Sequence, residues 1–373
     1  MPSPVPWAGS DLVGVPLFLK TDANGNVVTS GLVEIYEADA SGTQWTRTGS
    51  LLPPDPSNIN DRQFGWLLAR SGNRLAVGTQ EGATELFVLR HGQWAHTATI
   101  ASTVQGRVSN RSLAFDRDTL VIGFFDFQQL AYRAQVYRVT PSGQAHLHQT
   151  LLPLASDTGA FAASLALKND LLVVGSPGIP PTGGGQAYVY SPRGNHWILD
   201  QTLQSPTGAV PSGFGSGVAI APGHRAILIG APFEAFVGDD EFIDAAGELY
   251  VFQKARGLWG EIQETRPENT SAFNGFGQII AAGGGRVAVG APAPTDVFGA
   301  DFGPTFFYRW EGNTLVLDNS INNLSATSLD VWRNRIIVGE STEARLAFLN
   351  RAVVLTYPTP THKVDLDDDS DAD

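Results

Sequence analysis

The sequence predicts an all-β protein built from repeated antiparallel sheets, and three observations support this fold class. A short apolar run that ends in glycine recurs along the chain, with its glycines roughly 45 to 65 residues apart, a spacing typical of repeat architectures. Short strand-like segments bounded by turn dipeptides surround each copy. No segment keeps the apolar periodicity of a helix, so we expect almost no helix.

The recurring apolar runs predict buried strands, because strands covered on both faces favour the compact β-branched residues found in these runs. The glycines that end the seven runs are Gly14, Gly78, Gly123, Gly175, Gly230, Gly290 and Gly339. Each glycine permits either a close approach of backbone or a positive φ, and the sequence leaves both roles open. A proline two residues later, as at Pro177 and Pro232, removes a backbone donor where the strand stops pairing.

The second copy shows the composition of one repeat most clearly. Its strand-like segments are Phe64–Ala69, Arg74–Gly78, Glu85–Leu89 and Gln93–Ile100. The turn dipeptides Gly72-Asn73 and His91-Gly92 separate the first from the second segment and the third from the fourth. Four short antiparallel strands in each repeat are the pattern of a β-propeller blade. The sequence therefore predicts a propeller.

The repeats predict one propeller domain over residues 1–360, followed by an acidic tail or linker over residues 361–373. The predicted blades span residues 1–53, 61–100, 108–152, 161–204, 213–263, 275–320 and 326–366. We expect the two termini to meet and close the ring, because closure removes the exposed strand edges.

Two copies carry a more specific pattern. Phe214-Gly215 with Gly230-Ala231-Pro232, and Phe276-Gly277 with Gly290-Ala291-Pro292, resemble the FG-GAP repeat of the integrin α-subunit propeller and its bacterial relatives. The resemblance implies a seven-bladed propeller of four-stranded blades, which agrees with the seven glycines. It also implies calcium on loops between the first two strands, but the corresponding loops here are short and poor in acidic residues.

Composition and charge exclude several classes of function. The formal net charge of −13 argues against a nucleic-acid partner, because such proteins present a basic face. No apolar run approaches the ~18 residues that span a bilayer, so we expect no membrane insertion. The first residues lack the features of a signal peptide, which leaves an intracellular protein or a mature form whose signal peptide was removed. The FG-GAP resemblance favours the mature form, secreted or at the cell surface.

The acidic tail is the strongest candidate for a metal site. Its alternating carboxylates are Asp365, Asp367, Asp369, Asp371 and Asp373. Oxygen ligands at such spacing suit Ca²⁺, which takes about 6–8 of them. The run resembles the start of a thrombospondin type-3 calcium repeat, and calcium is therefore the one cofactor that we predict. The alternative is a disordered acidic tail without a metal.

A long loop after Gly230 is the candidate ligand site. Its acidic residues are Glu234, Asp239, Asp240, Glu241 and Asp244. Long connections in compact domains are usually functional, although a solvated acidic rim is the simpler interpretation.

No nucleophile elbow, phosphate-binding Walker loop, zinc-protease motif or dinucleotide fingerprint occurs in the sequence, and we predict no catalytic residues. We therefore expect a non-catalytic extracellular recognition or adhesion module that binds a glycan, a protein or a surface through loops on one propeller face. The alternatives are a structural component of a surface or virion assembly and a propeller hydrolase or lyase. Fold alone does not choose between these classes.

Overall fold

The computed structural model describes most of the chain. The described residues are 4–5, 11–21, 27–39, 44–55, 63–79, 82–101, 108–178, 183–208, 211–221, 223, 225–237, 242–243, 246–267, 275–291, 303–322, 324, 326–332, 335–344 and 347–356. The chain forms two compact units, one of residues 1–153 with 350–352 and one of residues 154–349 with 353–373. The expected all-β class is confirmed, since the described ranges contain strands and no α-helix. They also contain no helix that is long and apolar enough to cross a membrane.

The first unit contains three four-stranded antiparallel sheets. The first sheet consists of β1 (Pro4–Val5), β2 (Asp11–Thr21), β3 (Val27–Ala38) and β4 (Trp45–Leu51). The second consists of β5 (Leu67–Ser71), β6 (Arg74–Gly78), β7 (Thr84–Arg90) and β8 (Gln93–Ile100). The third consists of β9 (Val108–Asp116), β10 (Thr119–Asp126), β11 (Ala131–Val139) and β12 (Ala145–Leu151). In each sheet the strands lie side by side in chain order.

The second unit contains three more four-stranded sheets and a three-stranded one. The first consists of β13 (Ser164–Lys168), β14 (Leu171–Ser176), β15 (Gln186–Arg193) and β16 (His196–Gln204). The next consists of β17 (Val218–Ala221), β18 (Ala226–Ala231), β21 (Glu248–Ala255) and β22 (Leu258–Thr265), with the small pair β19 (Phe236–Val237) and β20 (Phe242–Ile243) in the connection between β18 and β21. The third consists of β23 (Ile279–Gly283), β24 (Arg286–Gly290), β25 (Thr305–Glu311) and β26 (Thr314–Ile321). The three-stranded sheet consists of β27 (Ala326–Trp332), β28 (Arg335–Ala344) and β29 (Ala347–Thr356).

Each four-stranded sheet has the meander order of a propeller blade. Six such sheets occur among the described residues, and the last predicted blade has three described strands instead of four. The closed ring and the number of seven blades stay predictions.

The strands of a four-stranded sheet differ in how deeply they are buried. The second strand of a blade is apolar and buried on both faces, as in β18, where all six residues are buried. The fourth strand is mostly polar and partly exposed, and its tryptophan covers the sheet, so that Trp197 and Trp259 are buried. In the second unit, one apolar cluster joins the β17–β22 sheet to the β23–β26 sheet, with Leu228 and Val251 packed against Phe276 and Val289. Burial between neighbouring sheets therefore forms the core.

The glycines of the repeat have two different structural roles. A Cβ at Gly230 would lie 1.8 Å from the backbone oxygen of Gly277, and one at Gly175 would lie 2.1 Å from that of Gly215. By contrast, Gly215 and Gly277 have positive φ angles of 95° and 91°. The glycine at the end of the second strand therefore makes room for the Phe-Gly turn of the next sheet, and the glycine of that turn supplies a left-handed backbone.

A glutamine on each of two fourth strands also links neighbouring sheets. The side-chain amide of Gln201 donates to the Trp259 carbonyl at 2.8 Å and accepts from the Trp259 N–H at 2.9 Å. Gln263, four residues after Trp259, does the same with Leu315, with both distances 2.8 Å. These paired bonds satisfy backbone groups on the neighbouring fourth strand.

Candidate functional site

The two ends of each four-stranded sheet in the second unit differ in the length of their connections. Short turns join the first to the second strand and the third to the fourth, as at residues 169–170, 194–195 and 256–257. Much longer connections follow the second strand, over residues 177–185, 232–247 and 291–304. Because neighbouring strands are antiparallel, the connection after the second strand lies at the opposite end of its sheet from the two short turns. We call this the long-connection end and the opposite one the short-turn end.

Glu234 fixes the base of the connection between β18 and β21. Its side chain is buried, with the residue 4% exposed, and its Oε1 accepts a hydrogen bond of 2.7 Å from the Tyr250 hydroxyl. The Ser205 hydroxyl lies 3.2 Å from the same oxygen, and Thr207 also donates to it. The Glu234 carbonyl accepts from the Gly247 N–H at 3.0 Å. One carboxylate thus joins this connection to β21 and to the segment that follows β16.

A second tyrosine–carboxylate pair occupies the equivalent place in the preceding sheet. Tyr188 pairs with Val174 and Tyr250 with Ile229, in each case the residue before the repeat glycine. The Tyr188 hydroxyl donates to Asp157 Oδ2 at 2.7 Å. Burial raises the pKa of both tyrosines above the usual range. The two phenols therefore stay protonated and act as hydrogen-bond donors at neutral pH.

The Asp157 carboxylate has further donors. The Ser176 hydroxyl lies 2.7 Å from Oδ2, and the Gly159 N–H lies 2.8 Å from Oδ1. Asp157 lies in the connection from β12 to β13, so these bonds fasten that connection to the ends of β14 and β15. Both pairs hold the bases of segments at the long-connection end.

Glu248 is another acid at the same end, and it is buried. It begins β21, and its Oε2 accepts from Arg266 Nη1 at 3.1 Å. Burial raises the pKa of the Glu248 carboxyl to about 7, with Arg266 opposing the rise and with Glu264 and Glu234 adding to it. The group therefore exchanges its proton close to neutral pH.

The predicted ligand and calcium residues fall largely outside the described residues. Of the predicted ligand loop, the structure describes Glu234, whose carboxylate is buried and bound by hydroxyls. The other four ligand-loop residues and the five tail aspartates lie outside the described residues: Asp239, Asp240, Glu241, Asp244, Asp365, Asp367, Asp369, Asp371 and Asp373. Within the described ranges, no group of three or more His, Cys, Asp or Glu side chains is placed to hold a metal ion.

Sequence reasoning missed one polar cluster in the first unit. Glu85 is buried at 1% exposure on β7, and its Oε2 lies 2.7 Å from His96 Nε2 and 2.7 Å from the Thr99 hydroxyl. Both partners are on β8, so the cluster joins the third and fourth strands of one sheet. A charged residue inside the apolar segment Glu85–Leu89 was the available signal.

The sequence matches no family model and no curated protein. Solved structures are similar to the chain at low identity. A protein from Lactobacillus plantarum is 12% identical, with a TM-score of 0.58, and the match covers 94% of this chain and 97% of that one. A functionally unknown protein from Desulfotomaculum acetoxidans is 10% identical, with a TM-score of 0.52 and coverage of 82% and 85%.

Saccharomyces cerevisiae Sqt1 is also 10% identical, with a TM-score of 0.49 and coverage of 91% and 78%, too low a score to support an argument. At such identities the likeness concerns the fold alone. The meander order of the sheets agrees with it. The chain has a multi-blade, propeller-like all-β fold.

Proposed function

We propose that the protein is a non-catalytic recognition module that binds a glycan or a protein at a cell surface through the connections at the long-connection end. The observation that carries this proposal is the asymmetry of the connections in the four-stranded sheets of the second unit, where short turns join the strands at one end and connections of nine or more residues join them at the other. Binding residues are commonly carried by long loops on a rigid scaffold.

Two hydrogen-bonded carboxylates support the proposal because they fix the bases of segments at the long-connection end. Glu234 binds Tyr250, Ser205 and Thr207, and Asp157 binds Tyr188 and Ser176. A loop that is held at its base loses less conformational entropy on binding, so its affinity for a partner is higher. The acidic residues between β19 and β20 then form the first candidate contact surface.

The finer family assignment is part of the proposal. We infer an FG-GAP-type propeller, because the two best sequence copies have a physical counterpart in the packing of Gly277 on Gly230 and of Gly215 on Gly175. An extracellular or cell-surface location follows from the same resemblance, and a calcium-binding acidic tail follows from the resemblance of the tail to the start of a thrombospondin type-3 repeat.

The test compares the unchanged protein with a variant that keeps Glu234 and its hydrogen bonds to Tyr250, Ser205 and Thr207. The triple substitution Asp239→Asn, Asp240→Asn, Glu241→Gln removes three charges from the connection and leaves its length unchanged. Glu311→Gln is the matched control, since Glu311 is an exposed acid at the short-turn end.

Both variants and the full chain are applied to a glycan array and to an array of extracellular protein domains. We expect binding that the triple variant loses and Glu311→Gln keeps. Equal binding by all three proteins would move the site away from this connection. Turnover of a bound glycan would place the protein among the enzymes instead.

A further inference from the structure

The turn between β10 and β11 in the first unit displays apolar side chains to solvent. The turn consists of four residues, 127–130. Within it, Phe127 is 48% exposed and Leu130 is 76% exposed. The Phe125 ring lies 4.9 Å from the Phe127 ring and 4.6 Å from the Tyr132 ring, measured between centroids. We call Phe125, Phe127, Leu130 and Tyr132 the aromatic turn.

Two hydrogen bonds to the Asp126 side chain brace the aromatic turn. Asp126 is buried, and its Oδ1 accepts hydrogen bonds from the N–H groups of Gln128 and Gln129 at 2.9 and 3.0 Å. Leu130 has a φ of 49°, in the left-handed region that a leucine rarely adopts. The left-handed backbone presents an apolar side chain at a turn position where glycine would fit without cost.

Two arginines give the aromatic turn a positive charge on an otherwise acidic protein. The Arg111 guanidinium lies 5.8 Å from the centre of the Tyr132 ring, and Arg133 donates to the Gln129 side chain. None of the ion pairs between described residues includes Arg111 or Arg133. Their charges are therefore available to an anionic partner.

We propose that the aromatic turn is a docking site for an acidic linear segment of a partner protein, one in which an aliphatic or aromatic side chain stands next to Asp or Glu. Phe127 and Leu130 would contact the apolar side chain, and Arg111 would pair with the carboxylate. Exposed aromatic residues beside arginine are typical of the few residues that dominate binding energy at interfaces.

The size and shape of the aromatic turn favour a short peptide segment over other occupants. The surface of two exposed side chains is far smaller than the ~800 Å² that each partner buries in a stable interface between folded proteins. A neutral sugar would leave the charges of Arg111 and Arg133 without an anionic partner.

The experiment selects peptides from a displayed library of random linear sequences against the full-length protein. We expect the enriched peptides to combine an apolar residue with a neighbouring Asp or Glu. Calorimetry with one synthesised peptide should show that Phe127→Ala weakens binding by about tenfold or more. Arg111→Ala should weaken it most at low salt.

Leu130→Gly separates a role in binding from a role in folding. This change removes the exposed side chain and relieves the left-handed strain, so we expect peptide binding to fall without any fall in the thermal midpoint. Leu258→Ala is the matched control, because Leu258 is a similarly exposed leucine at the start of β22. It should leave peptide binding unchanged.

Three results would overturn the proposal: no enriched peptide, peptides that bind Phe127→Ala as tightly as the unchanged protein, or Phe127-dependent binding to a glycan array or to anionic vesicles instead of peptide. Like the proposed function, this proposal makes the protein a recognition module, but it uses a different surface. The Asp239, Asp240 and Glu241 variant should keep peptide binding, so failure of one proposal is distinguishable from failure of the other.

Discussion

The Gly230 position shows how strongly one residue is constrained by backbone packing. A methyl group there would meet the Gly277 carbonyl oxygen at 1.8 Å and its carbon at 2.6 Å, and a carbonyl in a packed turn has little room to move. We expect Gly230→Ala to lower the free energy of unfolding by about 3 kcal/mol or more, as overpacked sites do. At Gly260 an added Cβ would have no neighbouring atom within 4 Å. Gly260→Ala should therefore change the free energy of unfolding by less than ~0.5 kcal/mol. Urea denaturation of both variants measures the difference, and equal midpoints would contradict the assigned role.

Glu248 makes the stability of the protein depend on pH. Its pKa of about 7 in the folded state lies above the usual value of 4.5, so the folded state holds the proton more tightly than the unfolded state. The resulting stabilisation is present below pH 4.5 and declines as the pH rises from 4.5 to about 7. Arg266 opposes this effect, whereas Glu264, Glu234 and the burial of the site sustain it.

The pH effect is tested with Glu248→Gln, which cannot ionise. The free energy of unfolding of the unchanged protein should fall relative to that of the variant by about 3 kcal/mol between pH 4.5 and 7. Chemical denaturation at several pH values gives both curves. A constant difference between them across this range would show that Glu248 titrates normally.

At the scale of elements, Gln263 fastens one sheet to the next. Its amide satisfies both the N–H and the C=O of Leu315, a buried residue near the start of β26. Gln263→Ala would leave two backbone groups without partners, and we expect a loss of about 1–3 kcal/mol for each group that water cannot reach. Faster hydrogen exchange at the Leu315 amide would localise the effect. Gln93→Ala, at an exposed glutamine at the start of β8, is the control and should leave stability unchanged.

At the scale of the whole molecule, the predicted ring closure is tested at the amino terminus. Deleting residues 1–16 removes β1, which pairs with β2 through Pro4 and Val5, and part of β2 itself. If the termini close a ring, the deletion opens strand edges, so hydrogen exchange should accelerate in both compact units. Acceleration confined to the β2–β4 sheet would instead show that the sheets do not depend on closure.

The local elements were predictable from the sequence. The predicted strands Arg74–Gly78 and Gln93–Ile100 coincide with β6 and β8, because strand alternation and turn dipeptides act over neighbouring residues. The sequence also identified Glu234 but not its role, since its hydroxyl partners Ser205 and Thr207 precede it by 29 and 27 residues.

The sequence by itself determined the all-β class, the strand order within each sheet and the importance of glycine at positions 175 and 230. Only the tertiary structure decided which glycines make room for a neighbouring backbone and which adopt a positive φ, and it alone revealed the Gln201 and Gln263 links across 58 and 52 residues. The physical reason is the range of the interactions. Turns and strand alternation depend on adjacent residues, whereas close packing and buried hydrogen bonds depend on which sheets lie next to each other.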